Sequence, residues 1–283
     1  MARKVAIVTD STTYIPEEIL DKYQVRVAPQ VVIWGGKEYL DNIDMTPKEF
    51  YTRLQVDPEL PKTSQVPIMQ MEKIFTELNS QGYDILAMLI SAKLSGTMNS
   101  AEQAKKNLPG ATIEIVDSHS TVMALGFQVL QVAKAAGEGA SLADCKSLAE
   151  KARQHTGILF AVDTLEFLHR GGRIGGGARF IGTALNLKPI LEVKDGAIEA
   201  VERVRTRKKS LNRLVELVEE RVGGMQPIRL ATLHANAAEE ARELLNDAST
   251  RLAAEESVFS EVSPAVGAHT GPGTIGLAYM AGM

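Results

Sequence analysis

The chain of 283 residues contains a single cysteine, Cys145, so it cannot form an internal disulfide. Aromatic residues make up only 5% of the sequence, which leaves few side chains for stacking on bases or sugars. The five histidines show no metal-ligand spacing, so we expect no metal site. No apolar run approaches the roughly 20 residues that a membrane-spanning helix needs. We therefore expect a soluble cytoplasmic protein.

The balance of charge and apolar content describes an ordinary globular protein. The sequence has 31 basic and 35 acidic residues, a net charge of −4, which argues against a general nucleic-acid binder. Hydrophobic residues account for 45% of the chain, enough for a full core. The length allows one large domain or two ordinary ones.

The first half of the chain alternates between strand-like and helix-like segments. Continuous apolar runs at residues 5–8 and 85–90 are typical of strands covered on both faces, and residues 112–116 are also expected to form a strand. Helical patterns at residues 17–22, 47–54, 68–80 and 100–108 lie between them, and residues 58–67 are expected to form a loop. This alternation predicts a mainly parallel sheet with helices on both faces.

After about residue 155 the pattern changes. Two β-rich runs at residues 189–193 and 197–204 are joined by Lys194-Asp195-Gly196, and Asp-Gly between such runs predicts a hairpin. Helices are expected at residues 178–185, 210–222 and 237–254, and strands at 157–163, 228–233, 258–262 and 273–279. We predict two α/β domains, residues 1–155 and 156–283, with a mixed or antiparallel sheet in the second and a ligand cleft between them.

The turn Leu94-Ser95-Gly96-Thr97 lies between a predicted buried strand and a predicted helix. The backbone N–H groups at a helix start, together with the hydroxyls of Ser95 and Thr97, could bind a carboxylate or a phosphate. The alternative is that Ser95 or Thr97 only caps the helix.

Two further motifs match known fingerprints in their letters alone. Residues 271–276 fit G-x-G-x-x-G, but a dinucleotide site needs a following helix and an acidic residue about 20 positions later, and the sequence stops at Met283. We expect a loop leading to an edge strand there. Asp117-Ser118-His119 contains the letters of a catalytic triad, yet adjacent residues rarely reach that geometry, so helix capping is the expected role.

A basic run and a histidine near the C-terminus are also candidates. Five basic residues fall within seven positions: Arg203, Arg205, Arg207, Lys208 and Lys209. They form either a solvated face or a docking patch, and on a strand the three arginines would share one face. His269 precedes Thr270 and Gly271 in a glycine-rich stretch that we expect to be a loop. It is either a structural residue or a hydrogen-bond partner of a bound carboxylate.

Several motifs, in this order and spacing, identify a family. They are Thr9-Asp10-Ser11, Thr63-Ser64-Gln65, Leu94-Ser95-Gly96-Thr97, the stretch from Asp163 to Gly175, Lys188-Pro189-Ile190-Leu191, Val204-Arg205-Thr206 and His269-Thr270-Gly271-Pro272-Gly273. The sequence resembles, nearly end to end, the DegV family of bacterial fatty-acid-binding proteins. One departure is Val66, where the family usually has proline directly after Thr-Ser-Gln.

The resemblance implies two α/β domains that hold a long-chain fatty acid in an apolar tunnel between them. It implies that hydroxyls matching Thr63 and Ser95 bind the carboxylate, with His269 nearby and Gly96, Thr97 and Thr270 beside them. In relatives that serve a fatty acid kinase, a separate subunit supplies ATP, so no cofactor is expected here. The docking surface for that subunit would include Arg170, Arg173, Arg203 and Arg205. Contact with a membrane surface during lipid exchange is a further expectation.

Two enzymatic alternatives remain. A Ser-dependent acyl hydrolase would use Ser95 or Ser118 with His269 or His119. A phosphotransferase subunit acting on a small polyol ranks last, because no Asp/Glu cluster of metal-binding type is evident.

Overall fold

The computed structural model describes residues 3–181 and 187–283. Its strands are β1 Val5–Asp10, β2 Arg26–Ala28, β3 Val31–Trp34, β4 Lys37–Leu40, β5 Lys62–Ser64, β6 Asp84–Leu89, β7 Ile113–Asp117, β8 Thr156–Ala161, β9 Lys188–Lys194, β10 Ala197–Val204, β11 Ile228–His234, β12 Glu256–Glu261 and β13 Ile275–Ala281. Its α-helices are α1 Glu17–Tyr23, α2 Pro47–Leu54, α3 Ile68–Ser80, α4 Thr97–Lys106, α5 Val122–Gly137, α6 Leu142–Ala152, α7 Glu166–Arg170, α8 Arg207–Val222, α9 Ala238–Arg251 and α10 Pro264–Thr270.

The N-terminal domain is built on a four-stranded parallel sheet in the order β2-β1-β6-β7. All six residues of β1 are buried, because helices cover both faces of the sheet as predicted. Helices α3 and α4 pack on one face, with α5 and α6 on the other. Cys145 of α6 is fully buried in that packing.

A small antiparallel sheet, in the order β4-β3-β5, lies beside the parallel one. The apolar pattern from Val25 to Trp34 suggests a single strand, and that expectation is wrong, because Pro29 and Gln30 separate β2 and β3, which belong to different sheets. The predicted loop over residues 58–67 is also wrong in part. Lys62–Ser64 forms β5 and pairs with β3, although its short polar sequence does not predict a strand.

The C-terminal domain has a six-stranded sheet in the order β10-β9-β8-β13-β11-β12, in which only β11 and β12 pair in parallel. The predicted Asp195-Gly196 hairpin is confirmed: both residues have positive φ, 49° and 81°, and join β9 to β10. The predicted edge strand at the end of the chain is wrong. Strand β13 lies between β8 and β11, because its apolar side chains are buried and both its sides are paired.

Helix α5 connects the two sheets. It packs against β1 on one side and against β8 and β13 on the other, so its first eight residues are all buried. One hydrophobic cluster therefore runs through both domains. Helices α8 and α9 cover the opposite face of the C-terminal sheet. The division at residue 155 stays a prediction, and none of the helices in the described part of the chain has the length and apolar character to cross a membrane.

Several predicted boundaries need correction. Helix α4 begins at Thr97 rather than at residue 100. Strand β10 ends at Val204, because the hydroxyl of Thr206 accepts from the Lys209 N–H and starts α8 at Arg207. Only Arg203 of the three arginines lies in the strand, so the expectation that Arg203, Arg205 and Arg207 share one strand face is wrong. The helix predicted at residues 178–185 overlaps a short 3-10 helix, Gly175–Phe180, and its residues 182–185 lie outside the described part.

The expected loop around His269 is a helix. Ser263 occupies the position before α10 and Pro264 its first turn, an arrangement typical of helix starts. His269 and Thr270 form its last turn, and Gly271 ends it with φ 75°. The small residue Gly267 allows α10 to approach Tyr51, because a Cβ there would overlap the Tyr51 hydroxyl. The pair Ser263-Pro264 is the sequence signal that indicates the start of this helix.

Candidate functional site

A cavity lies between the carboxyl ends of the N-terminal strands and the inner face of the C-terminal sheet. Its atom-free space is about 870 Å³, including the part that opens to solvent. Ligands of open α/β sheets gather at this kind of edge. Residues of both domains line it, as the predicted cleft requires.

Most of the cavity wall is apolar. The inward-facing side chains of β8, β9, β10 and β11 form much of it: Ile158, Phe160, Val193, Ile198 and Leu233. Gly276 of β13 leaves room for them, since a Cβ there would approach Leu233 Cδ1 to 2.6 Å and Ile158 Cδ1 to 3.0 Å. Val122, Val262, Ala265 and Val266 add apolar side chains from α5, α10 and the segment before α10. Such a wall suits a hydrocarbon.

Thr63 and His269 meet at the cavity from opposite domains. The Thr63 Oγ1 atom of β5 lies 2.7 Å from His269 Nε2 at the end of α10. Burial lowers the pKa of His269 to about 4, and the positive charge of Arg173 adds to the shift. The imidazole is therefore neutral near pH 7.

The surroundings of the ring decide which nitrogen of His269 carries its proton. Nδ1 is buried, has no hydrogen-bond partner among the described residues, and packs against Gly171, where a Cβ would overlap it. Buried N–H groups without an acceptor are rarer than buried lone pairs without a donor. We therefore assign the proton to Nε2, which donates to Thr63 Oγ1. The Thr63 hydroxyl proton is then free to donate into the cavity.

Ser95 lies in the turn before α4. Its Oγ accepts from the Thr97 backbone N–H at 3.3 Å and lies 2.9 Å from Thr97 Oγ1. Thr97 is fully buried and is not one of the residues that line the cavity. The N-cap residue of α4 is Gly96, which has no side chain that could cap the helix. Gly96 packs against the side chain of Gln65, which a Cβ would overlap.

The six predicted carboxylate-site residues therefore divide into two groups. Four line the cavity: Thr63, Ser95, His269 and Thr270. The hydroxyl of Thr270 donates to the Val266 carbonyl at 3.3 Å. The other two, Gly96 and Thr97, support the cavity wall from behind.

The four arginines predicted to dock a partner also divide. Arg173 lines the cavity: its Nε donates to the Leu94 carbonyl at 3.0 Å and its Nη1 to the Gly171 carbonyl at 2.8 Å. Arg170 is exposed and pairs with Glu166 at 2.7 Å. Arg203 is exposed over the Phe180 ring at 5.0 Å, and Arg205 is exposed beyond the end of β10.

Sequence reasoning missed several polar residues of the lining: Thr12, Gln30, Gln65, Thr121 and Thr274. Gln65 lay in a quoted motif, and its Nε2 donates to Ser100 Oγ at 2.9 Å. Gln30 is only 4% exposed although it follows a proline at a strand break. The sequence signal for Gln30 is that a polar residue interrupts an apolar run, which is typical of a side chain with a role in a buried site.

The serine–histidine pairs that a hydrolase would need are not formed in the described part of the chain. Ser95 contacts Thr97, and His269 contacts Thr63 instead of a serine. The Ser118 hydroxyl donates to the Ser120 carbonyl at 3.1 Å, and His119 is exposed. The expected capping of α5 by residues 117–120 is also wrong, because its N-cap residue is Thr121 and makes no side-chain cap.

Comparisons with known proteins agree with this architecture. The model of a family described as "Uncharacterised protein, DegV family" matches residues 4–282. The chain is 35% identical over 279 residues to the DegV domain-containing protein CPE0304 of Clostridium perfringens, covering 97% of this chain and 98% of that protein. It is 34% identical over 277 residues to Protein DegV of Bacillus subtilis, with coverage of 97% and 98%.

Solved structures give the same result. A DegV family protein from Thermus thermophilus, described for fatty acid binding, superposes with a TM-score of 0.93 at 34% identity, covering 98% of this chain and 99% of that one. DegV from Bacillus subtilis, described as a fatty acid binding protein, gives a TM-score of 0.89 at 33% identity, with coverage of 99% and 100%. A match of this extent in both sequence and fold leads to one conclusion: the chain belongs to the DegV family.

Proposed function

We propose that this protein binds one long-chain fatty acid, such as palmitate or oleate, in the cavity between its domains and acts as a carrier without catalytic activity. The observation that carries the proposal is the pairing of an apolar wall with two hydroxyls, those of Thr63 and Ser95, at one cavity. The descriptions of the Thermus thermophilus and Bacillus subtilis relatives as fatty acid binding support it.

The acyl chain would supply most of the affinity. Each methylene removed from water contributes roughly 0.8 kcal/mol, so ten of them contribute about 8 kcal/mol before the cost of ordering the chain. The apolar side chains of β8, β9, β10 and β11 offer the surface for that burial. The tunnel expected from the family resemblance would lie along this wall.

The carboxylate would bind where the two domains meet. An ionised carboxylate only accepts hydrogen bonds, and leaving it unpaired in a buried site costs several kcal/mol. The Thr63 hydroxyl, freed by the proton on His269 Nε2, can donate to it, and Ser95 can donate from the other side. The positive charge of Arg173, whose side chain is half-buried, also favours an anion at this end of the cavity.

Native mass spectrometry tests the proposal. Protein purified from bacteria is expected to carry one fatty acid per chain, which extraction and chromatography would identify. Delipidated protein should take up one oleate or palmitate from solution. A chain that carries no lipid and takes up neither acid would overturn the proposal. Turnover of an acyl ester that disappears in Ser95→Ala would favour the hydrolase instead.

We propose further that a fatty acid kinase docks beside the cavity and phosphorylates the bound carboxylate. The exposure of Arg170, Arg203 and Arg205 supports this, because exposed basic side chains are available to an acidic partner surface. Arg205→Glu should reduce acyl phosphate formation by such a kinase and leave oleate binding unchanged. Equal turnover for this variant and the wild type would remove Arg205 from the docking surface.

We also propose brief contact with a membrane surface during lipid exchange in the cytoplasm. Met69 is 83% exposed and Ile68 39%, and both begin α3 shortly after the cavity-lining Gln65. Apolar side chains exposed beside a lipid site can insert into a bilayer surface. Met69→Lys should slow the transfer of oleate from vesicles without weakening its equilibrium binding. An unchanged transfer rate would refute this role.

A further inference from the structure

Thr97 is fully buried behind the cavity wall, yet its hydroxyl is the centre of a hydrogen-bonded group. Gln30 Nε2 donates to Thr97 Oγ1 at 3.0 Å, and the backbone N–H of Val66 donates to it at 3.3 Å. Ser95 Oγ lies 2.9 Å away, and Gln30 Oε1 lies 3.3 Å away. Four atoms from three residues therefore lie within hydrogen-bond distance of one hydroxyl.

The capacity of a hydroxyl decides between these neighbours. It has two lone pairs and one proton. The two N–H donors from Gln30 and Val66 occupy both lone pairs of Thr97 Oγ1. Its proton must then go either to Ser95 Oγ at 2.9 Å or to Gln30 Oε1 at 3.3 Å, and the shorter contact is the better hydrogen bond.

The orientation of the Gln30 amide is fixed by a buried acid. The Gln30 side chain also hydrogen-bonds the carboxyl group of Asp10. Asp10 accepts from Thr12 Oγ1 at 2.7 Å and from the Ile90 N–H at 2.7 Å, so its oxygens act as acceptors. The nitrogen of Gln30 therefore faces both Asp10 and Thr97, and its backbone N–H is held by Ser11 Oγ at 3.1 Å.

The same accounting applies to Ser95. Its oxygen receives the Thr97 hydroxyl proton and the Thr97 backbone N–H, which occupy both lone pairs. Among the described residues its own proton has no acceptor inside the wall, and Ser95 lines the cavity. Ser95 can then only donate to a ligand, as Thr63 does on the other side.

We propose that Thr97 and Gln30 are positioning residues that make Ser95 a hydrogen-bond donor, and so select ligands whose head group only accepts hydrogen bonds. This inference rests on the proposed function and deepens it. An ionised carboxylate is such a head group, whereas an alcohol or a primary amide also brings protons that need an acceptor. The hydrogen bonds of Thr97 and Gln30 behind the cavity wall then favour the acid over the alcohol and the amide.

The test compares oleate with oleyl alcohol on delipidated protein. Thr97→Val removes the relay hydroxyl and keeps the shape, and Thr97→Ser is the matched control that keeps the hydroxyl. We expect Thr97→Val to weaken oleate binding about tenfold and oleyl alcohol binding less than twofold, with Thr97→Ser close to wild type. In a Ser95→Ala background the effect of Thr97→Val on oleate should disappear, because the two residues act as one unit.

Equal losses for both ligands, or the same tenfold loss in the Ser95→Ala background, would show a merely structural role and overturn the inference. If Thr97→Val does not fold, Gln30→Leu is judged by the same criteria. Wild-type protein that binds neither ligand would overturn the proposed function, and this inference with it. Wild-type protein that binds oleate while Thr97→Val keeps full preference for the acid would overturn the relay alone.

Discussion

Replacing Thr63 with valine is the sharpest perturbation of the carboxylate site. Valine keeps the β-branched shape, and the pairing of Thr63 with Val32 between β5 and β3 involves backbone atoms only, so the strand should be retained. The variant removes one donor to an ionised group. Such a hydrogen bond contributes roughly 1.5–3 kcal/mol, which corresponds to a loss of about 10- to 150-fold in affinity.

The same substitution has a second, smaller consequence in the free protein. His269 Nε2–H loses its acceptor at 2.7 Å, and a donor left unsatisfied in a largely buried place costs about 1 kcal/mol of stability. Thr63→Val should therefore melt a few degrees lower without ligand. Thr63→Ser, which keeps the hydroxyl, is the control for both effects.

Isothermal titration of delipidated protein with oleate gives the affinity, and oleyl alcohol serves as the reference ligand. We expect Thr63→Val to lose affinity for oleate by at least tenfold more than for the alcohol. Oleate affinity within twofold of wild type would refute the assignment of Thr63 to the carboxylate.

Three further predictions concern the cavity and its ionisable neighbours. Ile198→Trp should fill part of the cavity beside the apolar wall and exclude about four methylenes, weakening oleate binding roughly 200-fold, whereas Ile198→Val should bind normally; equal occupancy of both by native mass spectrometry would contradict the location of the acyl chain. The ring of His269 should stay neutral down to a pKa of about 4 in ligand-free protein, so its NMR signals should not shift between pH 7 and 5.5, and a midpoint near 6.5 would show that the ring is not buried as described. Burial raises the pKa of Asp41 from 3.8 to about 6, so the stability that its protonated form contributes is fully present below about pH 4 and is lost as the pH rises through 6. The free energy of unfolding of wild type relative to Asp41→Asn should then fall by about 3 kcal/mol between pH 4 and 7 in chemical denaturation, and a difference independent of pH would contradict it.

Much of the fold follows from local sequence. The apolar runs in β1 and β6 are typical of strands covered on both faces, and the Asp195-Gly196 turn predicts a hairpin. The alternation of strands with helices predicts the parallel sheet, and the change of pattern after residue 155 predicts the mixed sheet. These features depend on neighbouring residues, which is why the sequence is sufficient to predict them.

Features that depend on distant partners were not predictable in this way. Lys62–Ser64 becomes a strand only because β3 offers its edge, and β13 becomes central only because β8 and β11 close on both of its sides. Helix α10 is short and rich in small residues, so its apolar pattern is weak, and it is held by packing against α2 and β3.

The candidate site shows the same division. Thr63, Ser95 and His269 were predicted from the family resemblance, and the fold brings them to one cavity. The roles of Gln30 and Arg173 could not be predicted, because each is set by contacts with residues more than 60 positions away. No spacing in the sequence encodes such contacts.

A crystal structure of the delipidated protein soaked with oleate tests the central proposal most directly. We expect the carboxylate oxygens within hydrogen-bond distance of Thr63 Oγ1 and Ser95 Oγ, and the acyl chain along Ile158 and Ile198. An oleate whose carboxylate lies at the Ile158 and Ile198 end of the cavity would contradict the proposal. Oleate bound only outside the space between the two sheets would contradict it too.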